Sequence, residues 1–244
     1  MSLDATVVNV ALPSIGRELR SSISGLQWTI DAYTLVLASL LLLSGSTADR
    51  IGRRTTFQIG LALFTIGSLL CSLAPGVGWL VVFRMLQAVG GSMMNPVAMS
   101  IITATFDDPR QRARAVGVWG AVVGVSMGLG PLVGGALTDS VGWRAIFWIN
   151  VPVGIAAIVL TFFFVPESRS PEPRRLDPAG QVLVIVLLAT LVGGLIEGPR
   201  LGWTSPAALA LFLAAAAALV VLVAVERRRR QPLNDVRFFR SIPF

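Results

Sequence analysis

The stretch GSTADRIGRR, residues 45–54, follows directly on the apolar run TLVLASLLLLS and sets one acid, three arginines and two glycines within ten residues. A chain that leaves an apolar run this abruptly has reached a boundary between two solvents. Ninety positions later GGALTDSVGWR, ending at Arg144, repeats the skeleton: Gly135, Asp139, Gly142 and Arg144 stand at the spacing of Gly45, Asp49, Gly52 and Arg54.

Composition names the solvent. The 244 residues are 54% hydrophobic and 14% charged, with a mean hydropathy of +0.75. A soluble domain carries about one quarter charged residues, and this chain has too little polar material to face water. Net charge is +7 and all 20 basic residues are arginine. They sit in short clusters between apolar runs, which marks membrane flanks and not a nucleic-acid surface. The single cysteine, Cys71, excludes an internal disulfide and reads as a small core residue. There is no histidine and no lysine. That removes the commonest general base, the usual zinc ligand and any Gly-x-x-x-x-Gly-Lys phosphate loop. The residues point to no enzyme, no metal and no cofactor, and any transport must draw on an ion gradient or downhill flow.

A helix of about 20 apolar residues crosses the bilayer core. Seven runs reach that length, at roughly 28–48, 56–74, 79–102, 115–138, 145–165, 180–197 and 206–225. They are continuous and not alternating, so helices are expected and a barrel is not. The first segment, from Leu3 to about Leu19, is too short to cross unless it ends a longer helix, and it lacks the basic flank of a signal peptide. Counting it as span 1, the connections after spans 2, 4 and 6 and the tail after span 8 carry Arg50, Arg53, Arg54, Arg110, Arg112, Arg114, Arg169, Arg174, Arg175, Arg227, Arg228, Arg229, Arg230, Arg237 and Arg240. The opposite connections carry only Arg17, Arg20, Arg144 and Arg200. The arginine-rich side is expected to be cytoplasmic. One copy of the repeat closes span 2 on that side and the other closes span 5 on the far side. That is the pattern of an inverted-topology repeat, with spans 1–3 and 4–6 related by a pseudo-two-fold axis in the membrane plane.

These residues resemble the major facilitator superfamily. GSTADRIGRR is similar to its signature loop between helices 2 and 3, RMLQAVGG (84–91) to its helix 4 pattern with Ala88 in place of a glycine, and GVSMGLGPLVGG (124–135) to the helix 5 motif of antiporters. LDATVVNVALPSI, GWRAIFWINVPVG and PLNDVRFFR resemble the drug:proton antiporter branch with fourteen helices. The resemblance implies an all-α integral membrane fold. Residues 1–165 would form the N-terminal six-helix bundle of 3+3 inverted repeats with helix 1 clipped, 166–179 a cytoplasmic linker, 180–225 two further transmembrane helices, and 226–244 a basic cytoplasmic segment before a second bundle that the chain lacks. It further implies that the loop residues Gly45, Asp49, Arg50, Gly52, Arg53 and Arg54 latch two bundles in one state. In helix 5, Gly120, Gly124, Gly128, Gly130, Pro131, Gly134 and Gly135 would pack closely, bend the helix and control sealing between halves. In helix 4 the pattern residues are Arg84, Gln87 and Gly90.

An ionisable side chain inside the bilayer costs about 2.5–3.5 kcal/mol on insertion scales, so each one asks for a reason. Asp4 lies about 16 Å from the outer end of span 1, at mid-membrane; Asp31 and Arg84 lie nearer the outer side. A buried arginine needs an acidic or carbonyl partner, and both Asp4 and Asp31 qualify. A carboxylate held between apolar burial and a guanidinium can load and release a proton, and it can attract a cation. The same pair also fits a static structural role. Two functions therefore stand at this point. One is a secondary transporter in the plasma or inner membrane that exchanges protons for lipophilic or cationic small molecules by alternating access. The other is a non-transporting half-transporter acting as scaffold or assembly partner.

Overall fold

The computed structural model describes residues 1–169 and 177–228, and among these every regular element is an α-helix. The elements are α1 (Ser2–Glu18), α2 (Ile23–Ile51), α3 (Arg53–Ser72), α4 (Val77–Thr105), α5 (Pro109–Ser140), α6 (Ala145–Trp148), α7 (Asn150–Phe164), α8 (Pro178–Leu201) and α9 (Pro206–Arg228). Helices α6 and α7 together make the sixth span. Six helices are long and apolar enough to cross a membrane, and α2, bent by 51° between Leu41 and Leu43, makes seven. At 17 residues, α1 is the short one. Most of the expected linker and basic tail, including Arg174, Arg175, Arg229, Arg230, Arg237 and Arg240, lies outside the described residues.

Local chemistry sets the helix ends. Ser22 accepts the Gly25 N–H and starts α2. Asp108 accepts the Arg110 and Gln111 N–H groups ahead of Pro109, and Asp177 accepts the Gly180 N–H ahead of Pro178. In each case a side-chain oxygen satisfies a donor that has no partner one turn back. Helices α6 and α7 run on as one span: Ile149 between them has helical φ −60° and ψ −28°, and its N–H reaches the Ala145 carbonyl at 3.2 Å.

The chain divides into two compact units, Met1–Arg174 and Arg175–Phe244. In the first, α2 packs on α4, α1 on α5 and α3 on both α4 and α7. Exchanging spans 1–3 for spans 4–6 turns the α2–α4 pair into the α5–α1 pair and returns the α3–α7 pair to itself. These pairs follow the symmetry that the repeated skeleton suggested, whereas the extensive α3–α4 packing has no equal counterpart between the sixth span and α1. Lipid is as apolar as leucine, so contact between helices comes from close approach. A Cβ on Gly90 would strike the Phe64 nitrogen and the Gly60 carbonyl, and one on Gly67 would strike the Gln87 backbone. The core lies toward one end of the unit, where Val7, Val8, Ala11 and Ile15 of α1 meet Cys71, Ala74, Leu80, Trp143, Ile146 and Phe147. In the second unit α8 packs on α9, with Gly194 against Phe212, and Gly198 lies against Trp203 of the turn between them.

The tryptophans near span ends divide. Trp79, Trp148 and Trp203 are exposed, but Trp143 is fully buried. It stands edge-on to Phe147 and donates its Nε1 hydrogen to Glu18 Oε2 at 2.8 Å. Position near a span end does not say which way a ring faces, and this one turns inward to a partner.

Candidate functional site

One polar cluster is buried inside the first unit, and it is built from five spans. Asp4 on α1 and Arg84 on α4 are each 2% exposed. Arg84 Nη1 donates to Asp4 Oδ2 at 2.6 Å and to Gln87 Oε1 at 2.8 Å. Gln87, three residues on and therefore on the same face of α4, donates from Nε2 to Asp4 Oδ1 at 3.0 Å. Asn150, the first residue of α7, donates from Nδ2 to the same Oδ1 at 2.8 Å and to Ser68 Oγ at 3.0 Å. Ser68 donates to the Phe147 carbonyl at 2.9 Å. Arg84 Nε donates to the Thr29 carbonyl at 3.4 Å, and its guanidinium lies 4.0 Å from the Tyr33 ring centre.

Burying two charges costs several kcal/mol per ion, offset only where geometry is good and the other polar atoms are partnered. Here the carboxylate has three donors and the guanidinium has a carboxylate, an amide oxygen, a carbonyl and an aromatic face. Neutralising Asp4 would leave Arg84 with the last three. Charge on Asp4 and position of Arg84 are therefore linked.

Of the two acids weighed from sequence, Asp4 takes the arginine and Asp31 does not. Asp31 is half-buried on α2, and among the described residues it has no ion pair or hydrogen bond. Cys71 is buried with its Sγ 3.9 Å from Gln87 Oε1. Glu197 pairs with Arg200 at 2.9 Å in the second unit.

The 45–54 loop is fastened from an unexpected quarter. Gly52 joins α2 to α3 at φ 117°, a conformation that favours glycine. A Cβ there would also collide with Glu167. The Glu167 carboxylate accepts the Arg54 and Thr55 N–H groups at 3.1 Å each and the Thr55 hydroxyl at 2.5 Å, so it sits on the open N-terminus of α3. Burial pushes this carboxyl up, but those donors and the Ser168 N–H outweigh it and hold it below the usual carboxylate range. Arg53 N–H donates to the Ser168 carbonyl at 2.9 Å, and Asp49 stands 3.7 Å from Arg53. Arg50 is exposed. The opposite end carries a counterpart. Gly142, at φ 107°, precedes Arg144, which pairs with Glu18 and donates to the Ala74 carbonyl at 3.2 Å.

The helix 5 residues separate into two groups. Gly130 and Gly134 pack on Thr6 and Val7 of α1 and are the buried residues of α5. Among the described residues, none lies within 4 Å of a Cβ placed on Gly120, Gly124, Gly128 or Gly135. Pro131 lies within an unbroken α5. GVSMG at 124–128 spells a Gly-x-Ser-x-Gly elbow, but Ser126 lies in the middle of α5 with its hydroxyl on the Val122 carbonyl at 2.7 Å. Without a histidine it has no base.

Sequence reading missed Asn150, Ser68, Tyr33 and Thr29 as members of the cluster and took 166–179 for a plain connector. A polar amide beside a proline reads first as a helix-bender. An acid two residues beyond a span reads as linker.

Comparison with known proteins matches residues 1–187 to the Major Facilitator Superfamily. The chain is 38% identical over 242 residues to the multidrug resistance protein Stp of Mycobacterium tuberculosis, covering 99% of this chain and 45% of that protein. It is 40% identical over 211 residues to the methylenomycin A resistance protein of Streptomyces coelicolor, covering 86% and 44%. It is 38% identical over 244 residues to the tetracenomycin C resistance and export protein of Streptomyces glaucescens, covering 100% and 45%. The chain thus spans slightly less than half the length of these relatives. Among solved structures, a bacterial homolog of the human lysosomal transporter Spinster, inward-facing and occupied, aligns with TM-score 0.60 at 24% identity over 94% of this chain and 59% of that one. This likeness is one of fold.

Proposed function

The chain belongs to the Major Facilitator Superfamily and is a multi-pass membrane protein, and on that premise we propose that it serves proton-coupled export of drugs or other lipophilic and cationic small molecules. Its relatives are named for resistance and export. The observation that carries the proton reading is the buried Asp4–Arg84 pair at 2.6 Å, expensive in a membrane, with three donors on its carboxylate. Asp4 carries the proton, Arg84 answers its charge, and Gln87 and Asn150 orient it. Asp31, nearer the outer end, serves as a secondary cation-attracting acid. Gly45, Asp49, Arg50, Gly52, Arg53 and Arg54 form the gating loop, and the open glycines of α5 form the surface along which halves seal. A second bundle is the natural partner, because the relatives run to about twice this length. The protein lies in the bacterial inner membrane with its arginine-rich ends in the cytoplasm.

The test is dye efflux from vesicles made with the protein expressed from its own uninterrupted reading frame, with and without an uncoupler. Efflux should require the proton gradient, and Asp4→Asn should abolish coupled proton movement. Substrate-driven proton movement that survives Asp4→Asn removes the carrier. Outside labelling of a cysteine placed at 50–54 would invert the orientation.

A further inference from the structure

We infer, on the reading of residues 45–54 as the gating loop, that Glu167 is a positioning residue for that loop: from beyond the end of the sixth span it supplies the helix cap that Gly52 cannot. Helix α2 ends at Ile51 and α3 begins at Arg53, so Gly52 alone turns the chain between them. Its φ of 117° suits a residue without a side chain. The same lack leaves α3 with no capping oxygen of its own.

The first turn of α3 is completed from far along the chain. Arg53 N–H donates to the Ser168 carbonyl at 2.9 Å, Arg54 N–H to Glu167 Oε1 and Thr55 N–H to Glu167 Oε2, the last two at 3.1 Å each. The next donor, Thr56 N–H, returns to the Gly52 carbonyl at 3.0 Å. The donors of this turn that lie too early for a helical partner are thus taken by two adjacent residues. The Thr55 hydroxyl at 2.5 Å and the Ser168 N–H at 3.1 Å complete the carboxylate's set of donors. Glu167 addresses backbone here, while the neighbouring guanidiniums turn elsewhere. Arg53 faces Asp49 at 3.7 Å, and Arg54 donates to the Val165 carbonyl at 3.4 Å with its guanidinium 5.9 Å from the Phe162 ring centre. The carboxylate also stands in the space that a side chain on Gly52 would need. Gly52 and Glu167 therefore fit as a pair: the bare joint makes room for the acid, and the acid caps the helix that the joint begins.

A helix start without a cap frays, and a glycine joint can take many angles. With Glu167 in place the joint has one geometry, and Asp49, Arg50, Arg53 and Arg54 are held at set places on either side of it. Without Glu167 the charges of the loop remain but their positions are not fixed. In the proposed cycle the loop releases and engages at every turn, so its geometry bears on turnover more than on substrate affinity.

The test is dye efflux from vesicles made with the protein expressed from its own uninterrupted reading frame, with the rate expressed per molecule whose Cys71 resists a thiol dye. Glu167→Ala should lower the maximal rate about tenfold and leave KM within about twofold. Thr55→Val, which removes one of the carboxylate's donors, should lower it less. Gly52→Ala displaces the carboxylate, so combined with Glu167→Ala it should be no slower than the slower of the two singles. A normal maximal rate in Glu167→Ala, a raised KM, or independent losses in the double variant overturns the inference. Asp49→Asn and Arg53→Ala separate it from the gating reading beneath it. If these slow efflux while Glu167→Ala does not, the loop gates and Glu167 does not position it. If these too run at the normal rate, the gating reading itself falls.

Discussion

Arg54 and Arg144, which occupy matched positions in the repeat, each reach across to the last helix of the other half. Arg54 Nη1 donates to the Val165 carbonyl at the end of α7 at 3.4 Å, and Arg144 Nη2 donates to the Ala74 carbonyl just beyond α3 at 3.2 Å. A guanidinium at a helix C-terminus meets carbonyls that have no donor and the negative end of the dipole. Replacing either arginine by alanine should lower stability by about 1 kcal/mol. Arg144→Ala should cost more than Glu18→Gln, because the Arg144–Glu18 pair is largely exposed and such pairs contribute about 0–1 kcal/mol. The buried, solitary Cys71 makes thiol-dye labelling on heating a convenient measure.

The Asp4–Arg84 pair should show strong coupling. Asp4→Asn or Arg84→Gln alone leaves an unpaired buried charge and should cost about 3–5 kcal/mol. The double variant should recover at least about 2 kcal/mol relative to the sum of the two singles, in the same unfolding measurement. Additive costs would mean that the two groups do not sense each other.

Glu167 predicts a pH dependence with a definite sign. Its carboxyl is held below the ordinary range in the folded protein, so on acidification the unfolded chain takes up the proton first. The clamp on α3 therefore contributes fully above the unfolded value and is lost as pH falls through the lowered folded value. Glu167→Gln should flatten this acid limb of stability, leaving neutral pH and above as the range where wild type has the advantage.

Glycine substitutions should sort by surroundings and not by motif. Gly45→Ala and Gly120→Ala lie in helices with open space opposite and should be neutral or stabilising, by up to about 1 kcal/mol. Gly52→Ala meets both a positive φ and Glu167, and Gly90→Ala meets the backbone of α3. Both should be destabilising by more than about 1 kcal/mol, read as a lowered labelling temperature at Cys71.

The spans were legible because hydropathy over some 20 residues is a bulk property that neighbours do not alter. Rise per residue also gives an expected depth for Asp4 and Arg84 along the membrane normal. What counting along a chain cannot supply is azimuth. Asp4 and Asp31 both qualified as partners of Arg84, and only the packing of α1 against α4 and α6 separates them. Trp143 and the glycines of α5 illustrate the same gap: their facing depended on helices remote in sequence. Glu167 was hidden differently, in a proline-rich segment whose composition says connector while one carboxylate says cap.

The glycines left bare along α5 give that helix a narrow stripe without side chains, bordered by the exposed Met127 three residues after Gly124. Packed helices hold their alignment because knobs drop into holes, and a smooth side supplies no knobs. Whatever lies against Gly120, Gly124 and Gly128, acyl chain or polypeptide, can glide lengthwise with little to climb over. The helix is shaped there as a bearing surface.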